Sequence, residues 1–130
     1  MKNYSDLISS SIKVKKKLIK LEKKIVSAIE IMTETISNGG KIMICGNGGS
    51  AADAQHLAAE FLIRLRSNVN RRPLPALSLA SDTSTITACG NDYSFEDIFS
   101  RVFNAISLKN DILFIISTSG NSKNIIKVLK

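Results

Sequence analysis

The chain has 130 residues, 44% hydrophobic and 22% charged, and carries 18 Lys and Arg against 11 Asp and Glu for a net charge of +7. That composition excludes a disordered tail or a collagen-like fibre, and the length suits one domain burying roughly two-thirds of its unfolded surface. No apolar run approaches the roughly 20 residues of a bilayer span, and MKNYSDLISSSIKVKKK lacks the apolar stretch and cleavage site of a secretory signal. A cytoplasmic protein without a membrane partner is expected.

No Gly or Pro precedes Gly39, so residues 5–37 read as helical, with Ser5 as N-cap and Asn38-Gly39-Gly40 as the stop. Thirty-odd residues is long for one globular helix, which places a break near Leu18–Glu22. Leu7, Val14, Leu18, Leu21, Ile25, Ala28 and Met32 recur at heptad spacing, and Ile8, Ile12, Ile19, Val26, Ile29 and Ile36 widen the stripe. So wide a stripe asks for more than one packing surface, and helix-mediated oligomerisation by residues 1–38 is the expectation. Residues 1–30 hold eight lysines against three acids, five of the seven net positive charges. A solvated lysine face explains them. Only Tyr4 lies near the lysines to stack on a base, and a nucleic-acid partner is not expected.

Beyond residue 38 the pattern changes to strand–helix alternation. Lys41–Cys45 is a short apolar run bounded by glycines, followed by a Gly-rich turn and a helix from Ser50 to Arg66. Ala76–Ala80 reads as a second strand. Residues 82–89 read as a short helix ended by the turn Gly90-Asn91-Asp92, and 95–107 as another helix. Asp111–Ile116 is a third, almost wholly apolar strand, and an apolar helix begins near Ile125. Apolar strands alternating with helices imply a parallel sheet covered on both faces, an α/β domain over 39–130. Cys45 and Cys89 stand far apart and read as buried reduced thiols.

Three segments carry chemistry. Gly46-Asn47-Gly48-Gly49-Ser50, between strand and helix, allows a sharp turn and close ligand approach beside unpaired helix N–H groups. A purely structural tight turn explains many such runs. Ser117-Thr118-Ser119-Gly120-Asn121-Ser122 follows another strand, and its hydroxyls and N–H groups suit a phosphate; a hydroxyl-rich N-cap is the alternative. Two such loops at the carboxyl ends of parallel strands point to a ligand in the crevice between them. His56 and Glu60 share a helix face at i, i+4, and can serve as metal donors, as an acid–base couple, or as an exposed pair without function. Arg64 falls one turn further on. Asn91-Asp92 suit a turn.

Together GNGGSAADAQH, AAEF followed by Arg64, ACGNDYSFEDIFSR and ISTSGNS make the chain resemble the sugar isomerase (SIS) superfamily, and within it the phosphoheptose isomerase family. The resemblance implies a three-layer α/β/α, flavodoxin-like parallel sheet with N-terminal helices that build a homotetramer. It implies conversion of sedoheptulose 7-phosphate to a heptose 7-phosphate for bacterial surface polysaccharide. Ser117, Thr118, Ser119 and Ser122 would hold the phosphate. Asn47, Gly48, Gly49, Arg64, Asn91 and Asp92 would contact the sugar, and His56 and Glu60 would bind Zn²⁺, with Glu60 moving the proton between C1 and C2. Ile63 and Leu65 depart from the small and aromatic residues that often flank the Arg64 position, which alters the pocket wall.

In the family a later helix supplies a Gln and a His that complete the metal site. His56 is the only histidine here, so this chain reads as an N-terminal part of the SIS domain, inactive alone, its sheet incomplete and Ile112–Ile116 a bare apolar edge. The same pattern also occurs in a regulator that binds a replication initiator protein, and in binders of other sugar phosphates.

Overall fold

The computed structural model describes residues 3–130, which fall into two compact units divided between Glu34 and Thr35. In the first unit, helix α1 (Tyr4–Lys17) passes through a 3₁₀ turn at Leu18–Leu21 into α2 (Glu22–Ser37), so the break falls where helix length required one. The N-cap is Asn3 rather than Ser5. Asn3 accepts the Asp6 N–H and Asp6 accepts the Asn3 N–H, a reciprocal pair that the Ser5 hydroxyl joins by donating to Asn3. The apolar stripe is largely in water: Leu7, Ile12, Leu18 and Ile25 are each about half exposed. No described helix is long and apolar enough to cross a membrane.

The second unit is a parallel sheet of β1 (Ile42–Gly46), β2 (Ala76–Ser78) and β3 (Ile112–Ile116), in the order β2-β1-β3. Ile42 pairs with Ala76 on one side and Ile112 on the other, and Gly46 with Ile116. The central strand β1 is buried along its whole length, as its unbroken apolar sequence requires when both faces are covered. Its alternation sends Met43 and Cys45 into a core with Leu113, Ile115, Cys89, Ile98, Phe99, Ile125 and Val128. Those partners come from α4 (Thr83–Asp92), α5 (Ile98–Ile106), α6 (Lys123–Val128) and β3. Ile42 and Ile44 turn the other way, and α3 (Gly49–Leu62) packs on β1 and β2 through the buried, small Ala54 and Ala58. Helices on both faces of a parallel sheet make the three-layer α/β/α arrangement. Each fully buried large side chain, Phe99 or Ile44 for example, contributes about 1.5–3 kcal/mol.

Among the described residues β3 is an edge strand, half-buried along its length. Its start is fixed to the start of β1. The Asp111 carboxylate, 2% exposed, accepts the Lys41 N–H (2.8 Å) and the Leu108 N–H (2.7 Å) and pairs with the Lys41 ammonium. Burial pushes the Asp111 carboxyl up, but the Lys41 ammonium and the two N–H donors outweigh it and hold the group below the usual carboxylate range.

Two helix boundaries differ from the sequence reading. α3 stops at Leu62 rather than at Arg66, because the returning loop occupies its last carbonyls. Arg71 donates to the carbonyls of Glu60 and Phe61, and the Leu74 N–H also reaches that of Phe61. α4 runs on through Gly90 to Asp92, so Gly90-Asn91-Asp92 is its last turn and not a turn beyond it. Asp82 caps its start by accepting the Ser84 N–H (3.0 Å), and a glycine inside a helix costs only about 1 kcal/mol, too little to end it.

Candidate functional site

The two loops meet at one end of the sheet. β1 and β3 are hydrogen-bonded neighbours whose last paired residues are Gly46 and Ile116, so the segments that follow them leave from adjacent strand ends. Gly46 is held by a close approach: a Cβ there would lie 2.6 Å from the Ser50 carbonyl oxygen. Asn47 closes the turn by accepting the Ser50 N–H (3.0 Å) through its carbonyl, and Gly48 and Gly49 are exposed with open space around them. A small molecule could therefore approach the α3 N-terminus directly.

In the second loop Ser117 Oγ accepts the Gly120 N–H (3.0 Å) and Ser119 Oγ accepts the Asn121 N–H (3.2 Å). Gly120 takes φ +66°, a left-handed conformation that a side chain would strain. Thr118 and Ser119 are exposed, and Ser122 is the N-cap of α6 without a side-chain cap bond. The hydroxyls of Thr118 and Ser122 accept no hydrogen bond from the described residues in the structure, which leaves them available to an anion.

What ties the loops together was not visible in the motifs. Asn47 Nδ2 donates to Asn124 Oδ1 (2.9 Å), and Asn124 Nδ2 donates back to Asn47 Oδ1 (2.8 Å). Asn124 is 2% exposed. Its one sequence signal is a lone amide in the first turn of the otherwise apolar Ile125-Ile126 segment, and a buried amide needs a partner.

His56 and Glu60 share a face of α3, with Nε2 and Oε1 3.4 Å apart. That separation is longer than a charge-assisted hydrogen bond. His56 is mostly exposed and the Glu60 side chain 23% exposed, yet Glu60 Oε2 is buried without a hydrogen-bond partner among the described residues. An orphaned carboxylate oxygen is what a base or a metal donor would present. A catalytic zinc, however, takes three protein ligands, and no group of three His, Cys, Asp or Glu side chains is assembled among the described residues. The donors present do not complete a zinc site.

Arg64 does not continue the His56–Glu60 row, because α3 has already ended; its guanidinium donates to the Ser67 carbonyl (3.0 Å). Asn91 and Asp92 are exposed in the last turn of α4 and hydrogen-bond one another (2.8 Å). They are the last two of the ten residues of α4, so about 12–13 Å of helix separates them from the post-β2 loop, where Gln55 of α3 donates to the Ala80 carbonyl (2.8 Å). Asp92 instead borders a groove between α4 and α5 of about 480 Å³ with Tyr93 and Arg101, whose guanidinium stacks 3.6 Å from the Tyr93 ring centre. Asn47, Gly48, Gly49, Ser117, Thr118, Ser119 and Ser122 thus belong to one pair of loops, and His56 and Glu60 to the helix that leaves it. The described contacts do not bring Arg64, Asn91 or Asp92 to that place.

A parallel α/β/α sheet with polar loops at the carboxyl ends of adjacent strands defines a domain of the open-sheet class, in which ligands characteristically bind outside those strand ends. The SIS domain family matches residues 4–130, and the chain belongs to that family. It is 50% identical over 121 residues to a phosphoheptose isomerase of Chlorobaculum parvum, covering 92% of this chain and 58% of that protein. With a phosphoheptose isomerase of Campylobacter concisus it shares 53% identity over 103 residues, 79% of this chain and 53% of that protein. The chain thus spans little more than half the length of the curated relatives it matches. A solved phosphoheptose isomerase from Neisseria gonorrhoeae superposes with a TM-score of 0.87 at 44% identity, over 96% of this chain and 64% of that one. One from Francisella tularensis gives 0.80 at 36% identity, over 98% and 69%.

Proposed function

We propose that the chain carries the phosphate- and sugar-binding part of a phosphoheptose isomerase, an enzyme interconverting sedoheptulose 7-phosphate and D-glycero-D-manno-heptose 7-phosphate for bacterial surface polysaccharide. The observation that carries this reading is the pairing of two polar loops at adjacent strand ends, in a chain about half identical to proteins of that name. The Ser117, Thr118, Ser119 and Ser122 hydroxyls bind the phosphate, Ser117 and Ser119 by donating their O–H while they accept the Gly120 and Asn121 N–H groups. Asn47, Gly48 and Gly49 face the sugar. Arg64, Asn91 and Asp92 are assigned to the sugar from the resemblance alone.

Ketose–aldose isomerisation moves one proton from C1 to C2 through an enediol and another from O1 to O2. Glu60, with its orphaned Oε2, is the base for the carbon transfer. The oxygen transfer needs a second acid–base group. His56 and Glu60 are the residues of this chain that would hold Zn²⁺, which when bound would supply Lewis acidity toward the carbonyl and hydroxyl oxygens; two donors are fewer than the three protein ligands of a catalytic zinc. With His56 as the only histidine, the 130-residue chain binds substrate without turning it over.

The N-terminal helices, taken as a segment to residue 38, assemble a cytoplasmic homotetramer through the half-exposed Leu7, Ile12, Leu18 and Ile25, which light scattering would read directly. The functional reading is tested by calorimetry with sedoheptulose 7-phosphate, ribose 5-phosphate and glucose 6-phosphate. Tightest binding of the seven-carbon ligand supports it and binding of none of the three contradicts it; measurable turnover by the 130-residue chain would overturn its inactivity alone, not the sugar-phosphate reading.

A further inference from the structure

The Asn47–Asn124 pair joins residues 77 positions apart in sequence, Asn47 in the Gly46–Ser50 loop and Asn124 in the first turn of α6, directly after the Ser117–Ser122 loop. Each amide gives one N–H and receives one, and this two-point contact fixes the plane of both side chains. The direction of the pair is set as well. The Ile125 N–H donates to Asn124 Oδ1 (3.0 Å), which identifies that atom as the oxygen and so requires Asn47 to present its nitrogen there. Neither a carboxylate, which only accepts, nor an alkyl group could reproduce both bonds. Asn124 itself is 2% exposed and so cannot be a major ligand contact.

We propose that Asn124 is a positioning residue: through its reciprocal amide pair with Asn47 it holds the Ser117–Ser122 loop in register with the Gly46–Ser50 loop, and so fixes the spacing between phosphate and sugar subsites. This assignment rests on the sugar-phosphate reading above. Inorganic phosphate needs only one loop, whereas a sugar phosphate must satisfy both at once. Loss of the pair therefore separates the two ligands, which a general loss of folded protein would not do.

The test compares Asn124→Ala, Asn47→Ala and the double variant by calorimetry with inorganic phosphate and with sedoheptulose 7-phosphate. Phosphate affinity should stay within about 3-fold of the original, while sedoheptulose 7-phosphate should bind roughly 10- to 100-fold more weakly, the scale of a misplacement near 1 Å. The double variant should lose no more than Asn47→Ala alone, since with Asn47 already removed Asn124 has no pair left to lose. Equal weakening of both ligands, or unchanged sugar-phosphate binding in Asn124→Ala, overturns the proposal. Hydrogen exchange of the Gly120 and Asn121 amides is measured in parallel on ligand-free protein. It should accelerate at least 10-fold in Asn47→Ala, a substitution on the other loop; unchanged exchange also overturns the proposal. If the original chain binds neither ligand, the functional reading fails, and this exchange measurement still decides whether the pair holds the loop. It serves equally if Asn124→Ala does not fold.

Discussion

Removing the Asp111 side chain should unfasten β3 from β1, and with it the loop that β3 delivers. The carboxylate accepts the Lys41 N–H at 2.8 Å and the Leu108 N–H at 2.7 Å, and Ile112 N–H meets the Lys41 carbonyl at 3.1 Å beside them. Hydrogen bonds to a charged group contribute about 1.5–3 kcal/mol each, and the Asp111→Ala variant leaves both backbone donors without that partner. The Lys41 side chain is 24% exposed and can turn to water, so its ion pair adds less than about 1 kcal/mol. Water entering the vacated space recovers part of the loss, and the net cost should be about 3–4 kcal/mol. At about 4–8 °C per kcal/mol for a domain of this size, the midpoint should fall by at least about 12 °C.

Urea unfolding followed by circular dichroism at neutral pH measures this. A change below about 1 kcal/mol would refute the reasoning, since it is no more than an exposed ion pair contributes. The same carboxylate gives a pH signature. Its folded-state pKa is depressed, so the unfolded chain binds the proton more readily, and stability present above the ordinary carboxylate pKa is lost as pH falls from about 5 through the lower folded-state value. Asp111→Asn should flatten that acid limb, and an unchanged limb would contradict the assignment.

Gly46→Ala should cost about 1–3 kcal/mol, because the new Cβ meets the Ser50 backbone at 2.6–2.7 Å and the β1–α3 turn must shift; unfolding midpoints check it, and an unaltered midpoint would mean the turn yields freely. Burial pushes the Cys45 thiol up to about 11, leaving about one part in ten thousand as thiolate at pH 7. Cys45 should resist iodoacetamide in the folded protein and react after unfolding in urea, a difference that mass spectrometry reads and that labelling at equal rates would contradict. With only the His56 and Glu60 donors, the 130-residue chain should not retain Zn²⁺ through gel filtration. One equivalent of zinc by elemental analysis, lost in His56→Ala, would instead show that a third donor exists.

Much of the architecture could be read from hydropathy. The apolar run Ile42–Cys45 belongs to a strand buried on both faces, and the glycine and serine loops fall at strand ends because helices must start there. The break at Leu18–Leu21 followed from length alone. What escaped were features decided by distant partners. Arg71 and Leu74 return to the last carbonyls of α3 and end it before Arg64, and nothing in the sequence around Arg64 announces that return. Gly90-Asn91-Asp92 looks like a turn, yet Asp82 starts a helix stable enough to run through it. Asn124 stands just beyond the hydroxyl motif, in the first turn of α6, and its role depends on Asn47, 77 residues away in sequence, which local composition does not reveal. Local composition marks where a site lies; long-range hydrogen bonds decide which side chains serve it and which hold it in place.

The most direct test of the two-loop sugar-phosphate site is a titration of ¹⁵N-labelled protein with sedoheptulose 7-phosphate, followed residue by residue in heteronuclear spectra. The account predicts saturable shifts concentrated at Gly48, Gly49 and Ser117–Ser122, with unphosphorylated sedoheptulose producing none at Ser117–Ser122. Shifts confined to the α4–α5 groove around Asp92 and Arg101, or to the lysine-rich helix α1, would contradict it.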